Sequence, residues 1–285
     1  MAENCNHDCS ACGTTCGEDT RTQGKKDFHE KPHELSSIRH VIAVVSGKGG
    51  VGKSLTTGLL AVAMSRKGQH VGIMDADITG PSIPKMFGVE GEVRGSKVGA
   101  YPVPTAGGID IMSMNLLMEN ESDPVVWRGP ILSGVVKQFW QDIIWEDTDY
   151  LFIDMPPGTG DVPLTVFQTI AVDGIVIVTS PQELVSMIVE KAVKMAEMMK
   201  VPILGVVENM SYFECPNCHE RHEIFGKSHL DEITKQYGLD ILARIPMVPG
   251  LAAECDAGQL ETVQGDWLDA AVEKILKKDA EAETE

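Results

Sequence analysis

An apolar run, Val41-Ile42-Ala43-Val44-Val45, leads straight into Ser46-Gly47-Lys48-Gly49-Gly50-Val51-Gly52-Lys53-Ser54, and the residues beyond take up a helical spacing. Gly47, four intervening residues and Gly52-Lys53-Ser54 meet the G-x-x-x-x-G-K-S/T pattern, with the strand before it and the helix after it that give the pattern meaning. Glycines accept positive φ, so successive backbone N–H groups can turn inward on phosphate oxygens beside the positive end of a helix dipole. The expectation is a nucleotide site built from Gly47, Lys48, Gly49, Gly50, Val51, Gly52, Lys53 and Ser54, with Lys53 on the β- and γ-phosphates and the Ser54 hydroxyl on Mg2+. The helix behind it carries Leu55, Leu59, Leu60, Val62 and Ala63 and stops at Gly68.

A chain of 285 residues has room for one large α/β domain with tails. Its net charge of -18 has the wrong sign for nucleic acid or an anionic membrane as main partner. Nucleotide binding survives that objection. Salt screens charges beyond roughly 8 Å, whereas a lysine about 4 Å from a phosphate contributes on the order of 4 kcal/mol at an effective dielectric of about 20. No apolar run approaches the roughly 20 residues of a membrane span, and the N-terminus lacks the apolar core of a secretory signal. A cytoplasmic protein is expected, and in a reducing compartment cysteines read as metal ligands or free thiols rather than disulfides.

Six of the seven cysteines fall in two clusters. Cys5, Cys9, Cys12 and Cys16 lie in a polar arm, residues 1–38, where their spacing suits an iron-sulfur cluster, a tetrahedral zinc or no specific ligand. Cys215-Pro216-Asn217-Cys218 sits on a predicted loop, residues 211–225. Two thiolates are half of a four-cysteine cluster site, which two chains about a twofold axis would complete. A redox dithiol, a zinc site using His219 or His222, and coincidence are the rival readings. The seventh, Cys255, reads as a buried or incidental thiol.

Carboxylates close two further predicted strands. His70-Val71-Gly72-Ile73-Met74 ends at Asp75-Ala76-Asp77, and Tyr150-Leu151-Phe152-Ile153 ends at Asp154, followed by Met155-Pro156-Pro157-Gly158-Thr159-Gly160-Asp161. Ligands gather at the carboxyl ends of strands in open α/β sheets, so Asp75 and Asp77 can face Mg2+ and the γ-phosphate, and Asp154 can hold the metal. Arg128 reads as a surface ion pair. Helical stripes from Ile131 to Ile144 and from Leu184 through Met187 to Met199 read as core. Further strands are expected at residues 109–113, 174–179, 203–207 and 240–245. A short helix from Asp266 precedes an acidic tail, residues 279–285, so that the ATPase domain would span 39–278.

Lys48 directly after the first glycine resembles the deviant Walker A of the MinD, ParA and nitrogenase iron protein class, in which that lysine reaches a partner subunit's nucleotide. Together with Asp154-Met155-Pro156-Pro157-Gly158-Thr159-Gly160-Asp161, Asn209-Met210-Ser211-Tyr212-Phe213 and Cys215-Pro216-Asn217-Cys218, it resembles the Mrp family of iron-sulfur carrier ATPases over residues 38–276. The resemblance implies a P-loop NTPase with a doubly wound, mainly parallel sheet flanked by helices. It also implies an ATP-dependent homodimer, with Lys48, Lys53 and Asp77 in catalysis and Asp77 on the attacking water. Asn209 would read the adenine edge, and a 4Fe-4S cluster would be shared between two copies of Cys215 and Cys218, taken from a donor and passed to apoproteins. The N-terminal cysteines depart from the wider spacing of cytosolic eukaryotic relatives. A positioning ATPase of the MinD or ParA kind is the alternative.

Overall fold

The computed structural model describes residues 29–78, 80, 82–118, 129–158, 160–181 and 185–282. Cys5, Cys9, Cys12, Cys16 and Arg128 lie outside the described residues. The chain runs through β1 (Ile38–Val45), α1 (Lys53–Arg66), β2 (Val71–Asp75), α2 (Ile83–Met86), β3 (Arg94–Gly95), β4 (Ala100–Tyr101), β5 (Val103–Pro104) and β6 (Asp110–Met112). It continues with α3 (Gly129–Gln141), β7 (Thr148–Asp154), α4 (Asp161–Thr169), β8 (Gly174–Thr179), α5 (Val185–Met199) and β9 (Ile203–Glu208). A small hairpin, β10 (Phe213–Glu214) and β11 (Arg221–His222), precedes α6 (Leu230–Tyr237), β12 (Ile241–Arg244), α7 (Leu251–Asp256) and α8 (Asp269–Ala282).

Eight strands form one sheet in the order β12-β9-β8-β1-β7-β2-β6-β5, parallel throughout except for the edge strand β5. Strands buried on both faces have no polar side to alternate with, which is why β1 reads as an unbroken apolar run. Ile42 and Val44 pack with α1, α7 and α8 on one face, while Val41, Ala43 and Val45 pack with α3, α4, α5 and α6 on the other. The sheet is thus doubly wound. β1 lies between β7 and β8, so the loop after β1 emerges beside the carboxyl ends of both.

Three stripes differ from their sequence reading. α3 ends at Gln141, short of Ile143 and Ile144, and Ile143 makes a bridge to Ala100 instead. Ile131, counted with the core, is 53 % exposed, whereas Val135, Val136, Phe139 and Trp140 further along α3 are buried. In α5 the buried side chains are Ile188, Val189, Ala192, Val193 and Ala196, while Met187 points outward. The last helix reaches Ala282, since Asp279 is tied to the body by the Tyr150 hydroxyl, which donates to it at 2.7 Å.

Trp145 is fully buried, its Nε1 donating to the Phe139 carbonyl at 3.3 Å, and its ring lies where a Cβ on Gly72 of β2 would stand. Trp145→Ala should lower the unfolding free energy by about 3–5 kcal/mol, because the cavity it leaves is walled by strands that cannot collapse. Urea unfolding with an unchanged m-value measures this, and a loss below about 1 kcal/mol would mean the site repacks.

Candidate functional site

The turn after β1 is set by backbone geometry. Gly50 and Gly52 take φ of 78° and 77°, in the left-handed region that side chains resist. A Cβ on Gly52 would run into the Asn209 amide, and one on Gly47 into Ile188. The Asn209 side chain, buried at the end of β9, donates from Nδ2 to the Val51 carbonyl at 2.9 Å. One of its amide hydrogens therefore supports the loop. Gly158, from the turn after β7, donates its N–H to the Ser46 carbonyl at 2.9 Å.

Asp154 is the acceptor at the centre. Fully buried at the end of β7, it receives Lys53 Nζ at 2.8 Å, Ser54 Oγ at 2.6 Å and Thr57 Oγ1 at 2.8 Å. Lys53 and Thr57 are four residues apart on α1, so one face of the helix delivers both. Thr57 escaped the sequence reading; its place one turn behind the lysine is the signal that would have found it. Lys53 Nζ also lies 3.6 Å from Asp77 Oδ2. Ser46, Lys48, Gly49, Gly50, Gly52, Lys53, Ser54, Asp77 and Pro157 line a cleft of about 300 Å³. A larger cleft of about 970 Å³ over β3, β4 and β5 holds none of these residues.

The two aspartates after β2 are not equivalent. Asp77 lines the cleft, whereas Asp75 is fully buried, accepts from Ser113 Oγ and the Asp77 N–H at 3.1 Å each, and stands in register with Asp154 on the neighbouring strand. Burial first, then the Asp154 charge, push Asp75 up to about 8, against the opposing pull of Lys53. Asp75 therefore holds its proton at neutral pH. Of the pair expected to face the cleft, only Asp77 lines it; Asp75 is turned into the protein.

Cys215 and Cys218 stand on the turn of the β10–β11 hairpin, the first half-buried and the second exposed. The Cys215 N–H donates to the Glu220 carbonyl at 3.0 Å, and the His219 N–H to the Cys215 carbonyl at 2.9 Å, closing the turn with His219 at φ 58°. Hydrogen bonds from the backbone of Cys218, then of Asn217, hold the Cys215 thiol below its ordinary value. His219 and His222 face Glu214 and Glu220 at 3.5 and 4.0 Å. Among the described residues no three His, Cys, Asp or Glu side chains converge on a metal-sized site, so the single-chain zinc reading finds no ligand set there. Cys255 is partly buried against the α1 side of the core, and burial pushes its thiol up.

The described geometry has close counterparts. The model of the ParA-type family described as NUBPL iron-transfer P-loop NTPase matches residues 37–280. An iron-sulfur cluster carrier protein of Clostridium perfringens is 44 % identical over 266 residues, 88 % of this chain and 93 % of its own length. One of the same name from Methanocaldococcus jannaschii is 43 % identical over 251 residues, 87 % and 86 % of the two chains. Among solved structures, a nucleotide-binding protein in complex with ADP from Archaeoglobus fulgidus is 46 % identical with a TM-score of 0.73, covering 81 % of this chain and 90 % of that one. The MinC:MinD cell division complex of Aquifex aeolicus, at 19 % identity and a TM-score of 0.59 over 84 % of this chain and 96 % of that one, shares the fold.

Asp75 makes a pH prediction. In the folded chain it keeps a proton that the unfolded chain releases near 3.8, so its contribution to stability is full below that value and is lost as pH rises to about 8. Asp75→Asn keeps the shape and carries no charge. In metal- and nucleotide-free buffer its unfolding free energy should lack the decline that the wild type shows across that window; parallel pH profiles from urea titrations would mean that Asp75 is ionised in the fold.

Proposed function

The chain belongs to the family of NUBPL iron-transfer P-loop NTPases, and from that premise we propose that it hydrolyses ATP as a homodimer, holds a 4Fe-4S cluster between two copies of itself, and passes that cluster from a donor to apo iron-sulfur proteins. The observation that carries the cargo half is the pair Cys215 and Cys218: two thiols on an exposed hairpin, one with its thiolate favoured, in a chain that offers half of a four-cysteine set. A twofold axis brings one surface patch against its own copy and completes the set. Relatives named iron-sulfur cluster carrier protein support the same cargo. The proposal places the protein in the cytoplasm, whose reducing conditions keep thiols available as ligands. A positioning ATPase of the MinD kind would leave the two cysteines without a task.

On the nucleotide half, the loop N–H groups and Lys53 bind the phosphates, and Asn209 meets the base. Ser54 Oγ and Asp154, hard oxygen donors 2.6 Å apart, suit Mg2+, which when bound neutralises charge on the phosphate oxygens. Asp77, beside Lys53 in the cleft, orients the attacking water. Lys48, on the loop's outer turn, reaches the nucleotide of the other copy. ATP binding and hydrolysis then bias two dimer arrangements with different grips on the cluster.

Two experiments test this. Lys53→Ala should lower ATP turnover by at least about a hundredfold, the scale of losing one pre-organised donor to a developing charge; retained turnover would remove Lys53 from the mechanism. In a chain whose Cys5, Cys9, Cys12 and Cys16 are serine, anaerobic reconstitution should load iron and sulfide at one cluster per two chains, and Cys215→Ala should abolish loading. Iron and sulfide content unchanged by Cys215→Ala rejects the shared site.

A further inference from the structure

Glu208 is the last residue of β9 and its side chain is 0 % exposed. The carboxylate accepts from Ser211 Oγ at 2.5 Å and from Ser228 Oγ, and Arg244 Nε of the adjacent strand lies 3.5 Å away. Arg244 is itself held by Asp231 of α6 at 2.5 Å. A buried carboxylate is unfavourable unless its lone pairs and charge are answered, and here every partner is supplied. The run before it is Val206-Val207, so packing alone would have placed another apolar residue at this position.

The placement of its two serines is what matters. Ser211 stands where the chain leaves the sheet and Ser228 where it returns to α6, and the excursion between them carries β10, β11, Cys215 and Cys218. One buried carboxylate thereby pins both ends of the cysteine-bearing segment. The next residue is Asn209, whose amide is packed under Gly52 and bonded to Val51 of the phosphate loop. Met210, at φ 55°, turns the chain between Asn209 and Ser211 in a left-handed conformation that a long side chain adopts only when its surroundings enforce it.

We propose that Glu208 is a positioning residue that couples the two halves of the site. A shift of Val51 and Gly52 on nucleotide binding displaces Asn209; Glu208, on the adjoining peptide, carries the displacement to Ser211 and Ser228 together, so the hairpin moves as a unit and the environment of Cys215 and Cys218 changes. Pinned at one end only, the excursion would absorb the same shift by flexing. The inference rests on the reading that the loop takes nucleotide and the hairpin cysteines take cargo, and it names what links them.

Thiol reactivity of the full-length, reduced, cluster-free chain tests it. Alkylation by iodoacetamide, mapped to Cys215 and Cys218 by peptide mass spectrometry, is timed with and without Mg2+ and a non-hydrolysable ATP analogue. In the wild type the analogue should change the rate at these two thiols by about fivefold or more, the lower end of ordinary coupling between sites. Ser228→Ala should bring the ratio close to one while analogue affinity and melting temperature stay at the wild-type level, and Ser228→Thr, which restores the hydroxyl, should restore the ratio. Ser211→Ala gives the same reading from the other end. A wild type indifferent to the analogue overturns the proposal. So does a ratio that survives both alanine variants, even if the absolute rates change, because a merely structural anchor alters reactivity equally with and without nucleotide. Iron and sulfide content of reconstituted wild type, measured in parallel, decides the cargo reading separately, since the alkylation ratio is taken without a cluster.

Discussion

Three carboxylates gather around one ammonium at the carboxyl ends of β2 and β7, and the rest of the site is arranged to make that tolerable. Asp154 is answered by Lys53, Ser54 and Thr57, all delivered by the first turns of α1. Asp75, opposite it in register, gives up its charge instead. Asp77 stays nearest the solvent and shares Lys53 at 3.6 Å. Like charges this close are several kcal/mol apart from a neutral arrangement at low dielectric, so one protonation and one ammonium are the least that can hold the cluster together. The consequence is geometric: the carboxylate that lines the cleft beside Lys53 is Asp77, and the Ser54 hydroxyl is already on Asp154.

Much of this was legible before any coordinates. The apolar runs ending in Ser46, Asp75 and Asp154 are parallel strands because both faces of the sheet are covered, and their order of chemistry follows from the rule that ligands meet carboxyl ends. The turn of the glycine-rich loop is legible at Gly50 and Gly52, which take the positive φ that glycine accepts. What the chain could not disclose is which of two aspartates separated by one residue is buried. That depends on the pairing of β2 with β7, a contact between residues some eighty apart in sequence.

Phase errors explain the rest. Along α5 the stripe read from the sequence holds at Ile188 and Ala192, which are buried, and at Met195 and Met199, which pack against the core, but fails at Met187, which falls outside the covered face. Ile131 has the spacing of a core residue but stands in the first turn of α3, where it is exposed while Val136 and Phe139 further along are buried. Glu208 was passed over for the opposite reason. Glu208 also closes a strand, but nothing beside it in the sequence marks the serines that give it meaning, which are three and twenty residues away.

The same chain holds thiols in two contrasting states, and the contrast follows from where the fold puts them. Cys255 packs against the core beside Glu254 and Asp256; burial first, then the charges of Asp256 and Glu254, push its thiol up and favour the protonated form. Cys215 is on a short hairpin at the surface, where backbone donors from its own turn stabilise the anion. A cargo site has to give up what it holds, and a closed four-ligand cage within one domain would resist that. On the function proposed above, two thiols on an exposed turn would leave half of the coordination to be supplied from outside, by a second copy while a cluster is kept and by an acceptor while it is handed on. The fold therefore invests its burial and its hydrogen bonds in the base of the excursion, at Glu208, and leaves the tip open.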